Sequence, residues 1–348
     1  MSSHHTVLYR KYRPKNFSQV RGQEHITETL EQAISKKTLG HAYLFSGPRG
    51  TGKTSVARIF AQALGTHEHD IFEMDAASNR KIEDVRELRE AVFSLPMYSE
   101  HKVYIIDEVH MLTNEAFNAF LKTLEEPPQH AIFILATTEL HKVPETIISR
   151  CQVFRFKTPT QFILSEAIKD VCKEEGFTID EDAVEIIAMS GNGSFRDTLG
   201  TLEQVHATAQ KKHIDYDTVA KLIGLPPQQA LLQLLTSLDA KNTGDALGVI
   251  RTFQTHNGDV PMITRIIIEH IRFVMLLRFG NILMQKHLQS SIPEFILKHL
   301  EEYAKNKDSG INSKTLELFM QALDSMRYAF IKEIPLELAC INLFNKKD

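Results

Sequence analysis

The stretch GPRGTGKT, residues 47–54, decides the fold. It matches the pattern G-x-x-x-x-G-K-[ST] completely, and glycines in that pattern let successive backbone N–H groups face phosphate oxygens. The apolar run HAYLFSG at 41–47 precedes it, and a helical pattern over 53–64 follows it. This order of strand, loop and helix predicts a phosphate-binding loop, and the dipole of the following helix also favours an anion there.

Each part of this loop has a predicted role. Lys53 brings a positive charge to the β and γ phosphates, and the hydroxyl of Thr54 is a ligand for Mg²⁺. The predicted nucleotide-binding residues of the loop and the first helical turn are Gly47, Pro48, Arg49, Gly50, Thr51, Gly52, Lys53, Thr54 and Ser55.

A second motif, VYIIDEVH at 103–110, ends an apolar strand with two carboxylates. Asp107 is predicted to hold Mg²⁺ together with Thr54, and Glu108 to polarise the water that attacks the γ phosphate. The alternative interpretation is an acidic turn after a strand. Since a phosphate-binding loop lies about 50 residues upstream, the two motifs together predict a P-loop ATPase that uses ATP and Mg²⁺.

The apolar runs along the first half of the chain predict a parallel sheet. Most are rich in Val, Ile, Phe and Leu and do not alternate with polar residues, which suits strands buried on both faces. Helical patterns separate them, so we expect a three-layer α/β core over residues 1–157. The predicted strands are 41–47, 70–76, 102–108, 131–138 and 152–156.

The remainder of the chain reads as helices only. The break GLPP at 224–227 divides it into a small helical domain, 158–224, and an all-helical domain, 225–348, which we expect to be the main oligomerisation element. The predicted helices are 161–175, 181–189, 194–210, 215–223, 228–238, 244–256, 261–285, 291–306 and 313–331.

Composition excludes several classes of protein. No apolar run approaches the roughly 18–20 residues of a membrane span, and the first residues lack a secretory signal, so we expect a cytoplasmic protein without a membrane partner. The three cysteines are too far apart in sequence for a disulfide scaffold or a CxxC metal site. Residues 1–60 hold ten Lys and Arg against three Glu. This excess predicts contacts with a polyanion, the alternative being a solvated basic face.

Three further motifs contain residues that can act on a nucleotide. The strand in FILATTE, 133–139, ends in Thr137 and Thr138, and ISRCQVF, 148–154, holds Arg150. GNGSFRDTLGTLEQ, 191–204, places Arg196 in the first turn of a predicted helix. A cation in the first turn lies at the positive end of the helix dipole, which is unfavourable, so the presence of Arg196 there indicates a function. The alternatives are an ordinary surface arginine at 150 and a salt bridge from Arg196 to a neighbour such as Asp197.

These motifs together resemble a known family. The chain is similar to the bacterial DNA polymerase III gamma/tau subunits, the ATPase motors of the replicative sliding-clamp loader. The resemblance is dense over residues 7–205 and looser to the end. The stretches that carry it are VLYRKYRPKNFSQVRGQEH, GPRGTGKT, EMDAASN, VYIIDEVHMLTNEAFNAFLKTLEEPP, ATTELHKVPETIISRC and GSFRDTLGTLEQ.

The resemblance implies an AAA+ core, a helical lid at 158–224 and a helical collar at 225–348 that holds a pentameric ring. It implies that Thr138 is sensor 1, that Arg150 is an arginine finger for the neighbouring subunit's γ phosphate, and that Arg196 is sensor 2. It also implies that the adenine and ribose are enclosed by residues of the basic N-terminal run, namely Tyr9, Arg10, Tyr12, Arg13 and Val20.

Two departures from the family pattern matter. Family members usually carry a four-cysteine zinc module after the P-loop helix, whereas this chain has only LGTHEHDIFEMDAAS at 64–78. We therefore expect no zinc. The chain also ends soon after the predicted collar, so it resembles the short gamma form or a short paralogue, without the tau extensions that bind the polymerase and the helicase.

The function expected from the resemblance is that of an ATP-hydrolysing clamp-loader subunit within DNA polymerase III. The implied partners are delta, delta-prime and gamma/tau-type subunits, the sliding clamp, and primed DNA contacted independently of sequence. One alternative is an AAA+ remodeller of another DNA-associated client. Another is a mainly structural subunit like delta-prime, against which the intact Lys53, Thr54, Asp107 and Glu108 argue.

Overall fold

The computed structural model describes residues 6–79, 82–209, 213–255, 259–281 and 294–344. The chain forms two compact units. One comprises Met1–Leu164 with Gly191–Gly200, and the other comprises Ser165–Ser190 with Thr201–Asp348. The finer division at residues 157 and 224 stays a prediction.

A five-stranded parallel sheet forms the centre of the first unit, in the order β2-β3-β4-β1-β5. All five predicted strands are present, and every pair is parallel. The strands are β1 (Ala42–Ser46), β2 (Ile71–Asp75), β3 (Lys102–Asp107), β4 (Ala131–Thr137) and β5 (Gln152–Arg155).

Helices cover both faces of this sheet. Successive residues of a strand point to opposite faces, so Tyr43 and Phe45 pack in one apolar core while Leu44 packs in the other. β1, β3 and β4 are buried as predicted, but β2 and β5 are partly exposed because they lie at the sheet edges. The helices up to residue 148 are α1 (Leu8–Lys11), α2 (Glu24–Ser35), α3 (Lys53–Ala63), α4 (Ile82–Val92), α5 (Asn114–Glu125) and α6 (Glu145–Ile148).

The chain beyond β5 is largely helical, as predicted. The helices are α7 (Gln161–Glu175), α8 (Glu181–Ser190), α9 (Phe195–Ala209), α10 (Tyr216–Ile223), α11 (Gln228–Asp239), α12 (Thr243–Thr255), α13 (Val260–Phe279), α14 (Glu294–Lys305), α15 (Ser313–Ser325) and α16 (Ile334–Phe344). None of the helices in the described ranges is long and apolar enough to cross a bilayer.

Two expectations for this region are wrong. The prediction of helices only fails at β6 (Thr178–Ile179) and β7 (His213–Ile214), which pair in parallel. Two residues are too few to display the strand period in a sequence. The helix predicted over 313–331 ends at Ser325, where the Lys332 ammonium donates to the carbonyl of Met326 and the chain turns. Four parts of the predicted helices lie outside the described residues, namely the ends at 210, 256 and 282–285 and the start at 291–293.

Arg278, near the end of α13, ties α13 to the end of α14. Its guanidinium donates to the carbonyls of Tyr303 at 2.7 Å, Ala304 at 3.2 Å and Ile311 at 2.8 Å. The last carbonyls of a helix have no partner within the helix, and a cation there also complements the helix dipole. The bridge therefore fixes the packing of α13 on α14 within the second unit.

Asp70 anchors an exposed apolar segment beside β2. Its buried carboxylate accepts hydrogen bonds from the backbone N–H groups of Met97 and Tyr98, each at 2.8 Å. Burial raises the pKa of Asp70, but hydrogen bonds from Met97, Tyr98 and Ser99 outweigh it and hold the pKa below its ordinary value. The carboxylate thus stabilises the fold at neutral pH, and its contribution is lost in acid, as pH falls through the lowered pKa.

We expect Asp70→Asn to lower the denaturation midpoint at pH 7, because an amide cannot accept both N–H bonds as a carboxylate does. Its further loss of stability below about pH 4 should be shallower than that of the wild-type chain. Urea unfolding measured from pH 7 to pH 3 checks this. Asp324→Asn, which alters an exposed i,i+3 pair with Arg327, is the control. Parallel pH profiles for the wild-type and Asp70→Asn chains would contradict the assignment.

Candidate nucleotide-binding site

The sheet order brings the sequence motifs to one edge. β4 lies between β3 and β1, and Ser46 at the end of β1 is in register with Thr137 at the end of β4. The loop after β1, the Asp107–Glu108 pair after β3 and Thr138 after β4 therefore meet at the carboxyl ends of the strands. Open α/β sheets bind their ligands at this edge.

The loop after β1 has the backbone that glycine allows. Gly47, Gly50 and Gly52 have φ of 152°, 75° and 101°. A Cβ on Gly50 would lie 1.9 Å from Ser194 Oγ, and one on Gly47 would lie 2.6 Å from the carbonyl oxygen of Phe156. The loop thus needs glycine for both conformation and space. It leads directly into α3, so its shape suits a phosphate group.

Lys53, the first residue of α3, is buried and folded back onto this loop. Its ammonium donates to the carbonyls of Gly47 at 2.7 Å and Pro48 at 2.9 Å. Burial lowers the pKa of Lys53, and the positive charge of Arg196 adds to this, while Glu108 and Asp107 act in the opposite direction. A phosphate anion bound in the loop would place a negative charge beside this buried ammonium and would stabilise its charged form.

The two predicted magnesium ligands are in contact. Thr54 Oγ1 donates to Asp107 Oδ2 at 2.7 Å. A hydroxyl and a carboxylate are hard oxygen donors, and Mg²⁺ is usually bound by one or two carboxylates with substrate phosphates completing its shell. The residues present therefore fit Mg²⁺ held between the protein and a nucleotide.

Glu108 is held in an unusual conformation beside this pair. Its backbone is left-handed, with φ 49°, and its N–H donates to Asp107 Oδ1 at 3.0 Å. Its carboxylate oxygen Oε2 accepts from the Thr138 hydroxyl at 3.0 Å and the Thr138 N–H at 3.3 Å. The structure thus joins the predicted water-polarising residue to the predicted sensor 1. Strain of this kind, of order 1–3 kcal/mol, concentrates at functional sites.

Two residues of this group were missed by the sequence analysis. His110 Nδ1 lies 3.0 Å from Thr137 Oγ1 and 3.4 Å from Glu108 Oε2, and its Nε2 lies 3.6 Å from Glu139 Oε1. Both residues are present in the quoted motifs, His110 in VYIIDEVH and Glu139 in FILATTE. The only signal for them is that each follows a motif strand by two or three residues.

Arg196 lies in the same unit as the loop, on the first turn of α9. Ser194 caps this helix, its hydroxyl oxygen accepting from the N–H of Asp197 at 3.2 Å. The Arg196 guanidinium lies 5.9 Å from the centre of the Tyr9 ring. The Asp197 carboxylate faces Arg49 at 3.9 Å, so the bridge to Arg196 considered as an alternative is replaced by one to the loop.

The N-terminal run places aromatic and basic side chains side by side. The Arg10 guanidinium lies 5.9 Å from the Tyr9 ring, and Lys11 Nζ lies 5.5 Å from the Tyr12 ring. Arg13 follows α1, and Val20 follows a 3-10 turn and packs partly buried against one of the sheet cores. The Tyr9 ring also faces the Arg196 guanidinium of α9. The contacts of Tyr9, Arg10, Tyr12, Arg13 and Val20 with adenine and ribose stay a prediction.

Arg150 lies apart from this group, just past the end of α6. Its guanidinium donates to the Thr146 carbonyl at 2.8 Å and to Glu125 Oε1 at 2.8 Å. The side chains of Arg150 and Glu125 are 35% and 49% exposed. Arg150 is thus held against α5 and α6, and it is not brought to its own chain's Lys53 by any contact among the described residues.

The segment at 64–78, where the zinc module was considered, is short, and the rings of His67 and His69 pack beside the Tyr98 ring. The ring centres of His67 and His69 lie 5.3 Å apart, and that of Tyr98 lies 4.7 Å from His67. Within the described residues, no group of three or more His, Cys, Asp or Glu side chains is placed to hold a metal ion. The absence of zinc stays a prediction, which elemental analysis of purified protein tests.

The fold and this site define the class, a P-loop protein with the AAA+ fold. The Thermotoga maritima RuvB Holliday junction branch migration motor matches it with a TM-score of 0.53 and 23% identity, over 65% of this chain and 79% of that one. By sequence, the family described as "DNA polymerase III, delta subunit" matches residues 22–80 and 67–160. The "DNA polymerase III clamp loader subunit, ATPase lid domain" matches residues 164–211.

The chain belongs to the DNA polymerase III gamma/tau family. It is 38% identical to the DNA polymerase III subunit gamma of Buchnera aphidicola, over 68% of this chain and 71% of that protein. It is 42% identical to the DNA polymerase III subunit tau of Bacillus subtilis, over 78% of this chain and 52% of that protein. The chain thus spans about half the length of this last relative and 62% of the Mycobacterium tuberculosis gamma/tau subunit, to which it is 34% identical.

Proposed function

We propose that this chain is an ATP-hydrolysing motor subunit of a sliding-clamp loader that acts in the cytoplasm. The observation that carries the proposal is the group at the carboxyl edge of the sheet: the buried Lys53, the Thr54–Asp107 contact and the Glu108–Thr138 contact. Family membership supports the particular role in replication.

In this proposal each residue has a defined task. The loop N–H groups and Lys53 bind the phosphates, and Thr54 and Asp107 hold Mg²⁺, which neutralises charge on the phosphate oxygens when bound. Glu108 accepts the proton of the attacking water, and Thr138 fixes its carboxylate. Arg196 contacts the nucleotide in its own chain, and Arg150 serves the neighbouring subunit.

The proposed assembly is a pentameric ring with delta, delta-prime and gamma/tau-type subunits. ATP binding favours the ring that holds an open clamp, and primed DNA then stimulates hydrolysis, which releases the clamp closed around the DNA. The basic excess of residues 1–60 supports contacts with DNA phosphates, which are independent of sequence and weaken with salt.

The deciding experiment is ATPase activity of the reconstituted complex with and without clamp and primed DNA. Stimulation by clamp and primed DNA together, falling with salt, is expected. Hydrolysis that neither component stimulates would favour an AAA+ remodeller of another client. Absence of hydrolysis in every condition would favour a mainly structural subunit.

Lys53→Ala tests the nucleotide site itself. Hydrogen bonds to charged groups contribute about 1.5–3 kcal/mol each, so we expect ATP binding to weaken by roughly 100-fold. Titration of the purified chain with a fluorescent ATP analogue measures it. Lys122→Ala, on the exposed side of α5, is the control. ATP affinity of Lys53→Ala close to that of the control would remove the ATPase assignment.

A further inference from the structure

His110 lies in the first turn after β3, and its side chain is only 5% exposed. Its ring stands between the ends of two neighbouring strands. On one side is the Glu108 carboxylate, which follows β3, and on the other are Thr137, which ends β4, and Glu139. A buried imidazole in contact with two carboxylates and a hydroxyl is more than core packing requires.

The neighbours of Nδ1 favour the tautomer that carries its proton there. Nδ1 is hydrogen-bonded to Thr137 Oγ1 at 3.0 Å and lies 3.4 Å from Glu108 Oε2. A carboxylate oxygen can only accept, so an unprotonated Nδ1 would set a lone pair against a negative charge. A protonated Nδ1 donates its hydrogen bond to Thr137 Oγ1 and keeps a positive N–H beside Glu108 Oε2. The Thr137 hydroxyl oxygen also accepts from the N–H of Glu139 at 3.0 Å.

The charges around the ring agree with this arrangement. Glu108 faces Nδ1 and Glu139 faces Nε2, while Glu139 is itself paired with Lys142 at 2.7 Å and His141 at 3.7 Å. Lys53 also interacts with Glu108, Asp107 and Arg196, and the N–H of Glu108 donates to Asp107 Oδ1. A carboxylate oxygen thus lies within 3.6 Å of each ring nitrogen.

We propose that His110 is a positioning residue for Glu108. The inference rests on the proposed ATP hydrolysis. The contacts of Thr138 and His110 converge on Oε2 of Glu108, and Oε1 takes part in none of them. Oε2 is thus fixed from β4 by Thr138 and from its own turn by His110, and Oε1 is the oxygen presented to the attacking water.

This arrangement couples the two strand ends. Glu108 contacts Thr138 and His110 contacts Thr137, so the last residue of β4 and the residue after it both hold the turn that follows β3. Displacement of the end of β4 would shift the Glu108 carboxylate directly. A misplacement of about 1 Å in a reacting group costs up to roughly 100-fold in rate.

Three variants of His110 in the reconstituted complex test the proposal. The amide nitrogen of Asn can replace Nδ1, whereas the longer Gln places its amide near Nε2. We expect His110→Ala to lower kcat roughly 10-fold, because the Glu108 carboxylate loses one of the groups that hold it in place, with ATP affinity within about twofold. His110→Asn should recover most of the rate, and His110→Gln should behave like His110→Ala.

A merely structural role gives a different result. If the role is only structural, His110→Asn and His110→Gln would lower the melting temperature and leave kcat unchanged, or His110→Gln would restore the rate as well as His110→Asn does. Either outcome overturns the proposal. If His110→Ala is unstable, the Asn and Gln pair alone decides. As a second measurement, His110→Ala combined with Glu108→Gln should be no slower than Glu108→Gln alone, because His110 acts through Glu108. Additive losses would overturn it.

Failure of the inference and failure of the proposed function are distinguishable. If wild-type and Lys53→Ala complexes hydrolyse ATP equally slowly, the proposed function fails. If the wild-type complex is active and His110→Ala retains its kcat, only the positioning role is wrong.

Discussion

Arg150→Ala is expected to slow ATP hydrolysis by the assembled ring by roughly 10³–10⁵-fold, the effect of losing an arginine finger. ATP affinity of the isolated chain should not change. In the structure the guanidinium is held by Glu125 and the Thr146 carbonyl, outside the group that contains Lys53. The residue is therefore expected to act on the nucleotide of a neighbouring subunit. Steady-state ATPase rates of the complex, together with ATP titrations of the free chain, measure both effects.

A mixing experiment separates action on the neighbour from action within one chain. Arg150→Ala chains and Glu108→Gln chains are each expected to be inactive when assembled alone. In a mixed ring some interfaces would combine Glu108 of one chain with Arg150 of the next, so part of the activity should return. A mixture that stays inactive, or an isolated wild-type chain as fast as the ring, would rule out action between subunits. Lys169→Ala, which removes a similarly exposed cation paired with Glu181 at 2.8 Å, is the control.

Glu108→Gln is expected to lower kcat roughly 10²–10⁴-fold, the usual contribution of a general base. Its amide oxygen can still accept from Thr138, and Thr54 and Asp107 are untouched, so ATP and Mg²⁺ should remain bound. ATP titration of the complex should show that ATP still binds, and single-turnover measurements should show that it is hydrolysed much more slowly. Glu115→Gln, at an exposed position of α5, is the control. ATP binding as weak as that of Lys53→Ala would contradict the role assigned to Glu108.

The sequence predicts the sheet and the main site residues because their signals are local. A strand is a run of apolar residues, and the phosphate-binding loop is eight consecutive residues. Parallel strands then place their carboxyl ends together, which accounts for the Thr54–Asp107 and Glu108–Thr138 contacts. The AAA+ fold prediction and the family prediction are confirmed.

The remaining features depend on distances that a sequence pattern does not contain. His110 meets Thr137 only through the register of β3 and β4 with respect to each other. Glu125 is the last residue of α5, and Arg150 follows α6, 25 residues further along the chain. Nothing in this spacing indicates a contact. The helix predicted to residue 331 ends at Ser325 and is followed by a turn in which the Lys332 ammonium donates to the Met326 carbonyl, and the apolar pattern of the sequence does not indicate this end.

The left-handed backbone of Glu108 makes position 108 a place where folding and chemistry select different residues. Glycine or asparagine would adopt φ 49° with less strain, by about 1–2 kcal/mol, and would yield a more robust protein. Neither could accept a proton from water. A screen for thermal stability would therefore tend to discard the residue that we propose activates the attacking water. Any effort to engineer a more stable version of this protein should hold position 108 constant.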